Sequence, residues 1–217
     1  MADEDLAAPD VVLRTRVLEE VKERIISGEL PASARLHERN LSQELGVSRV
    51  PIREAILTLA SQGLVELRPR VGAFVRPLTR KNVEELFDVR LALEPLAASL
   101  AAKNRDAEQL EQLECLFHQE RTALEARNNK AGSLANAEFH LVILRASGND
   151  LLYSIIAPLH SQIQRLFRAT IEDISELLNH DHEQMLGALR NQDADLAAKL
   201  AVEHIKGTRA HSISQFD

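Results

Sequence analysis

The 217-residue sequence has one cysteine, no tryptophan and one tyrosine. A lone Cys115 cannot close an internal disulfide, so the fold must rest on packing, as suits a reducing compartment. No uncharged apolar run approaches the roughly 18–20 residues that a membrane helix needs. Met1 is followed by Ala-Asp-Glu-Asp, so a positively charged leader is not expected. No glycine-rich phosphate loop and no internal repeat stand out. Together these absences predict a cytoplasmic chain with no membrane partner. What is present is ordinary for a globular protein: 45% apolar and 27% charged residues. That balance excludes a collagen, a low-complexity tail or a mostly disordered chain.

The formal charge of −7 argues at first against nucleic acid. Its distribution argues the other way. Residues 1–10 carry four acids and no base, and read as a disordered acidic tail. Residues 11–80 carry 12 Lys+Arg against 8 Asp+Glu, and all but Lys22 of those bases are arginine. The rest of the chain is net acidic. Arginine is suited to bidentate contact with phosphate and guanine, although a solvated basic face would account for the charge equally well.

Periodicity divides the chain in the same place. Val17, Leu18, Val21, Ile25 and Ile26 mark a helix over about 11–28, ended by Gly28 with Pro31 beyond. Glu38–Leu45 predicts a short helix, Gly46-Val47-Ser48 a tight turn, and a second helix runs from Ser48 to about Gln62. Ser48 is its expected cap, and Pro51 falls in its first turn, where a missing N–H costs little. Residues 64–67 and 73–75 are β-prone, with the basic tip Arg68-Pro69-Arg70 between them. Pro77-Leu78-Thr79 reads as a linker. Beyond it the pattern is helical throughout, with six helices expected at about 80–102, 106–127, 130–147, 150–169, 174–191 and 193–213. The expected fold is therefore mainly α. A winged helix-turn-helix over 11–77 precedes an all-α antiparallel bundle over 78–217, long enough to bury its own core.

Two arginines, Arg49 and Arg53, lie one turn apart near the start of the second short helix. A recognition helix contacts base edges from there. The alternative is that they are solvated, or pair with a surface acid such as Glu38. That alternative gives no reason for the further arginines at the hairpin tip. The stretches Leu36-His37-Glu38-Arg39-Asn40-Leu41-Ser42, Gly46-Val47-Ser48-Arg49-Val50-Pro51-Ile52-Arg53-Glu54-Ala55-Ile56 and Gly72-Ala73-Phe74-Val75 resemble the GntR family of bacterial transcription regulators. The resemblance covers about residues 12–77, with Pro31-Ala32 where the family usually has Pro-Gly. It implies a dimer bound to double-stranded DNA at a short inverted repeat, with Arg39, Arg49 and Arg53 touching bases or phosphates. It further implies that Ser48 caps the recognition helix and reaches the DNA, that Arg70 lies on the wing, and that Gly72 lets the wing approach the minor groove.

In the second region Asn136 and His140 share one helix face, His182 stands two helices on, and His204 is on the last helix. Three imidazoles on three helices of one bundle can converge on a divalent metal. Spacing leaves the alternative open that they are surface or hydrogen-bonded core residues. Leu86-Phe87-Asp88-Val89-Arg90, Leu93-Glu94-Pro95-Leu96-Ala97-Ala98, Phe139-His140, Ser147-Gly148-Asn149, Asp181-His182 and Glu203-His204 resemble the FCD ligand-binding domain of the FadR-like branch of that family, and the helix count resembles its six-helix VanR-like group. The metal-binding members use one Asp and three His. His140, His182 and His204 match the histidines, and Asn136 stands where the Asp is expected. The implied cofactor is a divalent metal, with Zn²⁺ or Ni²⁺ best suited to three imidazoles. The implied ligand is a small carboxylate effector. Arg90 is its expected anchor, unless it pairs with Glu94 at the surface, and Arg168 is a second candidate. The reading is a homodimeric, ligand-responsive repressor. Its rivals are a small helical metalloenzyme, for which spacing places no general base, and an architectural DNA-binding protein without a sensor.

Overall fold

A computed structural model describes residues 9–170 and 175–216. The chain forms two compact units divided between Pro77 and Leu78. In the first, helix α1 (Pro9–Ile26) is followed by strand β1 (Arg35–Leu36), helix α2 (Glu38–Leu45), helix α3 (Arg49–Ser61) and strands β2 (Val65–Arg68) and β3 (Gly72–Val75). Of the expected acidic tail, residues 1–8 lie outside the described residues. Residues 9 and 10 are the start of α1. Proline is tolerated in a first turn, and Asp10 pairs with Arg14 at 2.9 Å one turn on.

The three strands make an antiparallel sheet in the order β1-β3-β2, with Glu66 opposite Phe74 and Arg68 opposite Gly72. The two-residue strand β1 has too few side chains to show an alternating pattern, so the sequence hid it. Val17, Val21 and Ile25 of α1, Leu41 of α2, and Ile52, Ile56 and Leu59 of α3 close over Val65 and Val75 as one core. Gly46 takes φ +66° at the end of α2, the left-handed turn that sets α3 across α2.

The second unit is helical among its described residues. It comprises α4 (Arg80–Asn104), α5 (Ala107–Glu125), α6 (Asn129–Ala146), α7 (Asp150–Ile156), α8 (His160–Thr170), α9 (Ser175–Arg190) and α10 (Ala194–Ser214). Side chains of Thr79, Asp106, Asn128, Asn149 and Asp193 each accept a backbone N–H in the first turn that follows them, and so fix where five of these helices begin. The single helix expected over 150–169 is two. Pro158 supplies no N–H, and the chain tightens into a 3-10 turn at Ala157–Leu159 before α8 resumes. α4 packs along α10, and α5 along α6. One apolar layer gathers Leu113, Phe117, Phe139, Val142 and Leu189, and another gathers Phe87, Ile163, Phe167 and Ile205. No helix among the described residues is long and apolar enough to cross a membrane.

Candidate metal centre and nucleic-acid interface

The basic head presents its arginines outward. Arg39 on α2 and Arg49 and Arg53 on α3 are exposed, as are Arg70 and Gly72 on the wing. Buried Ile52, Ala55, Ile56 and Leu59 hold α3 by its opposite face, which leaves the arginine face to solvent. A groove of about 660 Å³ runs between α3 and the wing, and brings together Arg53, Arg70 and Gly72 with Arg35, Glu38 and Arg68. Arg39, Ser48 and Arg49 do not line it.

Three details bear on these expectations. Ser48 stands at the cap position of α3 with extended backbone, but its side chain makes no capping bond. A cap hydroxyl bonds the N–H of the second or third helical residue, and the third here is Pro51, which has none. Arg53 is not simply solvated. Its Nε and Nη2 donate to the two carboxylate oxygens of Glu38 at 2.9 Å each, and those bonds hold the Glu38 carboxyl below its usual range. At Gly72 a Cβ would come within 3.2 Å of the Arg35 Nε, so the missing side chain makes room for that guanidinium. Arg35 itself went unnoticed in the sequence because it lies on the short β1. Arg68 lies over the Phe74 ring at 4.4 Å and pairs with Glu66 at 3.1 Å.

The second unit brings the sequence-selected histidines together. His140 on α6, His182 on α9 and His204 on α10 are buried, and their ligand atoms lie within 4.8 Å of one another. The ring centroids are 4.8–5.2 Å apart, and Phe139 stacks on His182 at 4.7 Å. Each Nδ1 faces a carboxylate. His182 Nδ1 lies 2.6 Å from Glu120 Oε2, His204 Nδ1 3.2 Å from Asp181 Oδ2, and His140 Nδ1 3.8 Å from Glu94 Oε2. The three Nε2 atoms have no hydrogen-bond partner, and neither does Oδ1 of the buried Asn136. Buried polar atoms are normally satisfied. Three orphaned imidazole nitrogens and one amide oxygen are the donor set of a first-row divalent cation, so these residues fit the group.

Burial favours the neutral form of two of these imidazoles, His140 and His204. Burial pushes His140 well below its ordinary value, and the nearby His182, His204 and Arg90 push it further. His204 is lowered by burial against the pull of Asp181. Burial alone raises the Glu120 carboxyl, but the charge and hydrogen bond of His182 and the Asn136 amide outweigh it and hold Glu120 low. The sequence carried a signal for Glu120 that went unused. It continues the buried stripe of α5 with Leu113, Phe117 and Leu124, and a carboxylate there must have an interior partner.

Arg90 points into the bundle with 1% exposure, but it is already engaged. Its Nε and Nη2 donate to Glu94 at 2.7 and 3.2 Å, and its Nη1 has no partner. The pair with Glu94, which the alternative reading put at the surface, does form, but it is internal. A cavity of about 10 Å³, room for about one water, touches Glu94, His140 and His204 between apolar walls that include Ile143 and Met185. Arg168 is half-buried on α8 and does not line that cavity.

Comparison with known proteins gives matches along nearly the whole chain. Residues 13–75 match the family model described as bacterial regulatory proteins, gntR family, and residues 85–207 match the FCD domain. A probable D-xylose utilization operon transcriptional repressor of Paenarthrobacter nicotinovorans is 30% identical, over 88% of this chain and 87% of its own. The gluconate operon transcriptional repressor of Bacillus licheniformis is 31% identical, over 85% of this chain and 78% of its own. Among solved structures, E. coli McbR/YncC superposes with a TM-score of 0.79 at 24% identity, over 94% of this chain and 99% of that one, a likeness of fold.

Proposed function

Because this chain belongs to the GntR family of bacterial regulatory proteins and carries an FCD domain, it is a DNA-binding transcription regulator and not an enzyme, and we propose that it is a metal-dependent, acid-responsive repressor. In this reading two copies bind an inverted-repeat operator in the cytoplasm. Arg39, Arg49, Arg53 and Arg70 supply phosphate and base contacts, Ser48 supplies a hydroxyl at the start of α3, and Gly72 keeps the wing slim enough to enter the minor groove. The observation that carries the sensing half is the convergence of His140, His182 and His204, whose Nε2 atoms are orphaned, as is Oδ1 of the buried Asn136.

Those four residues would hold a divalent cation, with Zn²⁺ or Ni²⁺ best suited to the nitrogen-rich set. When bound, it supplies a Lewis-acidic positive centre to which an effector carboxylate can add as a further ligand. The chain's own residues do the rest. Glu120 and Asp181 orient His182 and His204. Arg90 offers its unpartnered Nη1 to the anion, while Glu94 holds the remainder of that guanidinium. Arg168 is the second candidate anchor, through the half-exposed face of α8. With room for about one water beside the histidines, an effector must open the cavity to enter. Binding energy spent on that opening couples the helical unit to the operator, and the coupling is reciprocal.

Two relatives are named as repressors of gluconate and D-xylose operons, so sugar acids are the first effectors to try. The test is fluorescence anisotropy on a duplex selected from random sequence, competed against bulk DNA. Zn²⁺-loaded protein should prefer the selected duplex, lose affinity steeply with salt, and release it when a sugar acid or related hydroxy acid is added. Undiminished binding by Arg49→Ala and Arg53→Ala would overturn the head assignment. Binding without sequence preference, unaffected by any acid, would favour the architectural alternative.

A further inference from the structure

Asn136 stands where the family's ligand set has a carboxylate, so the donor cluster itself brings no charge to a cation. A negative charge lies one layer further out. Glu120 is fully buried on α5. Its Oε1 accepts from Asn136 Nδ2 at 2.8 Å, and its Oε2 lies 2.6 Å from His182 Nδ1. An ionised carboxylate has acceptors and no donor, so both partners must turn an N–H toward it. Asn136 then has to turn Oδ1 away from Glu120, and His182 has to keep its lone pair on Nε2. Those are two of the atoms left without a partner.

We propose that Glu120 is the positioning residue of this centre, and that Asn136 and Glu120 together do the work of a single ligating aspartate. The amide supplies the oxygen ligand, and the carboxylate behind it supplies the charge and fixes which atom faces inward. The inference rests on the metal reading given above. It also accounts for a buried carboxylate that the packing of α5 against α6 does not require.

Glutamine at position 120 has nearly the same shape and tests the chemistry. Its amide can accept from only one of the two N–H groups. Either Asn136 flips and points Nδ2 at the cation, or His182 moves its proton to Nε2. Both outcomes remove a ligand. The double variant Glu120→Gln with Asn136→Asp satisfies every group again, because the introduced amide donates its N–H to the new carboxylate while its oxygen accepts from His182. Asn136→Asp alone sets two carboxylates in direct contact.

The experiment is Zn²⁺ affinity by competition with a chromophoric chelator, run on the wild type, both single variants and the double variant. Thermal unfolding of the metal-free proteins serves as the folding control. Glu120→Gln should weaken Zn²⁺ binding about 10–100-fold. The double variant should recover at least wild-type affinity and exceed Glu120→Gln. A folded Glu120→Gln that binds Zn²⁺ as tightly as wild type overturns the proposal, as does a double variant no better than Glu120→Gln. Wild type that binds no Zn²⁺ at all overturns the metal reading instead. The ¹⁵N shifts of the His182 ring in metal-free protein then decide this inference alone. A wild-type Nδ1–H tautomer that is lost in Glu120→Gln supports the positioning role, and an unchanged tautomer overturns it.

Discussion

The guanidinium of Arg53 and the carboxylate of Glu38 form a two-pronged pair across the helix-turn-helix, with both bonds at 2.9 Å. The recognition helix therefore meets DNA with one arginine already held. The pair is substantially exposed, so water and salt screen it and leave it weak. A bidentate contact to guanine returns roughly 1–3 kcal/mol and can displace it, whereas a lone phosphate contact gains little over what Glu38 already gives. In the proposed reading of the head, Glu38 acts against non-specific binding. Glu38→Gln should raise affinity for bulk DNA several-fold and narrow the ratio between selected and bulk duplex. Competition anisotropy measures both, and an unchanged bulk affinity would contradict the latch.

The wing tip joins strain to charge. The Val71 N–H donates to the Arg68 carbonyl at 3.0 Å, closing a turn with Pro69 first and Arg70 second at its centre. Arg70 sits at φ +62°, where such a turn prefers glycine. Holding a side chain there costs of the order of 1 kcal/mol. Arg70→Gly should accordingly stabilise the head by no more than about 0.5 kcal/mol, after the extra flexibility of glycine in the unfolded chain is allowed for. The same change should weaken operator binding and flatten the slope of log affinity against log salt by about one. A variant more stable in thermal unfolding but unchanged in salt slope would remove Arg70 from the interface.

The order of elements in the head was readable because glycine, proline and apolar spacing act locally, as at Gly46 and along Ile52, Ile56 and Leu59. What escaped depends on distant partners. β1 exists because β3 lies beside it, and nothing within Arg35–Leu36 announces a strand. Arg90 and Glu94 at i,i+4 look like a surface pair, and only the packing of α4 against α10 puts them inside. The three histidines were legible as a set through resemblance. Glu120 showed only as an acid within the apolar stripe of α5, and its partners were hidden because they lie 16 and 62 residues further on. Pro158 was visible in the sequence, but whether a proline bends a helix or divides it is decided by its neighbours.

Removal of one imidazole should separate the centre's ligand role from its packing role. His140→Ala leaves two imidazoles and one amide, too few for a closed site. Tag-free wild type purified without chelator should carry about one divalent ion per chain by elemental analysis, and the variant far less. In stripped wild type, Zn²⁺ should raise the unfolding temperature, with stability growing by about 1.4 kcal/mol for each tenfold rise in free metal above the dissociation constant. The variant should show no such rise. A Zn²⁺-dependent shift that survives in His140→Ala would mean that the stabilising ion binds elsewhere.

A fourth buried histidine, His160, should add its own acid limit to that of the cluster. His160 begins α8 at 4% exposure. Burial lowers its pKa to about 4, against the pull of Glu94 and with a push from Arg90. An unfolded chain holds a histidine near 6.5, so below that value the unfolded state binds the extra proton and the folded state does not. The stability linked to a neutral His160 is therefore complete above about pH 6.5 and lost as pH falls toward 4. The full loss is of the order of 3 kcal/mol, a large fraction of a typical domain's stability. His140 and His204 are lowered too, so the wild-type curve sums several groups and must be read by difference. His160→Leu, which cannot titrate, should lose less stability than wild type between pH 7 and pH 4.5. Urea unfolding of both proteins in chelator measures that gap at each pH. Parallel curves would show that His160 titrates alike in the folded and unfolded chain, and that the acid limit comes from other groups.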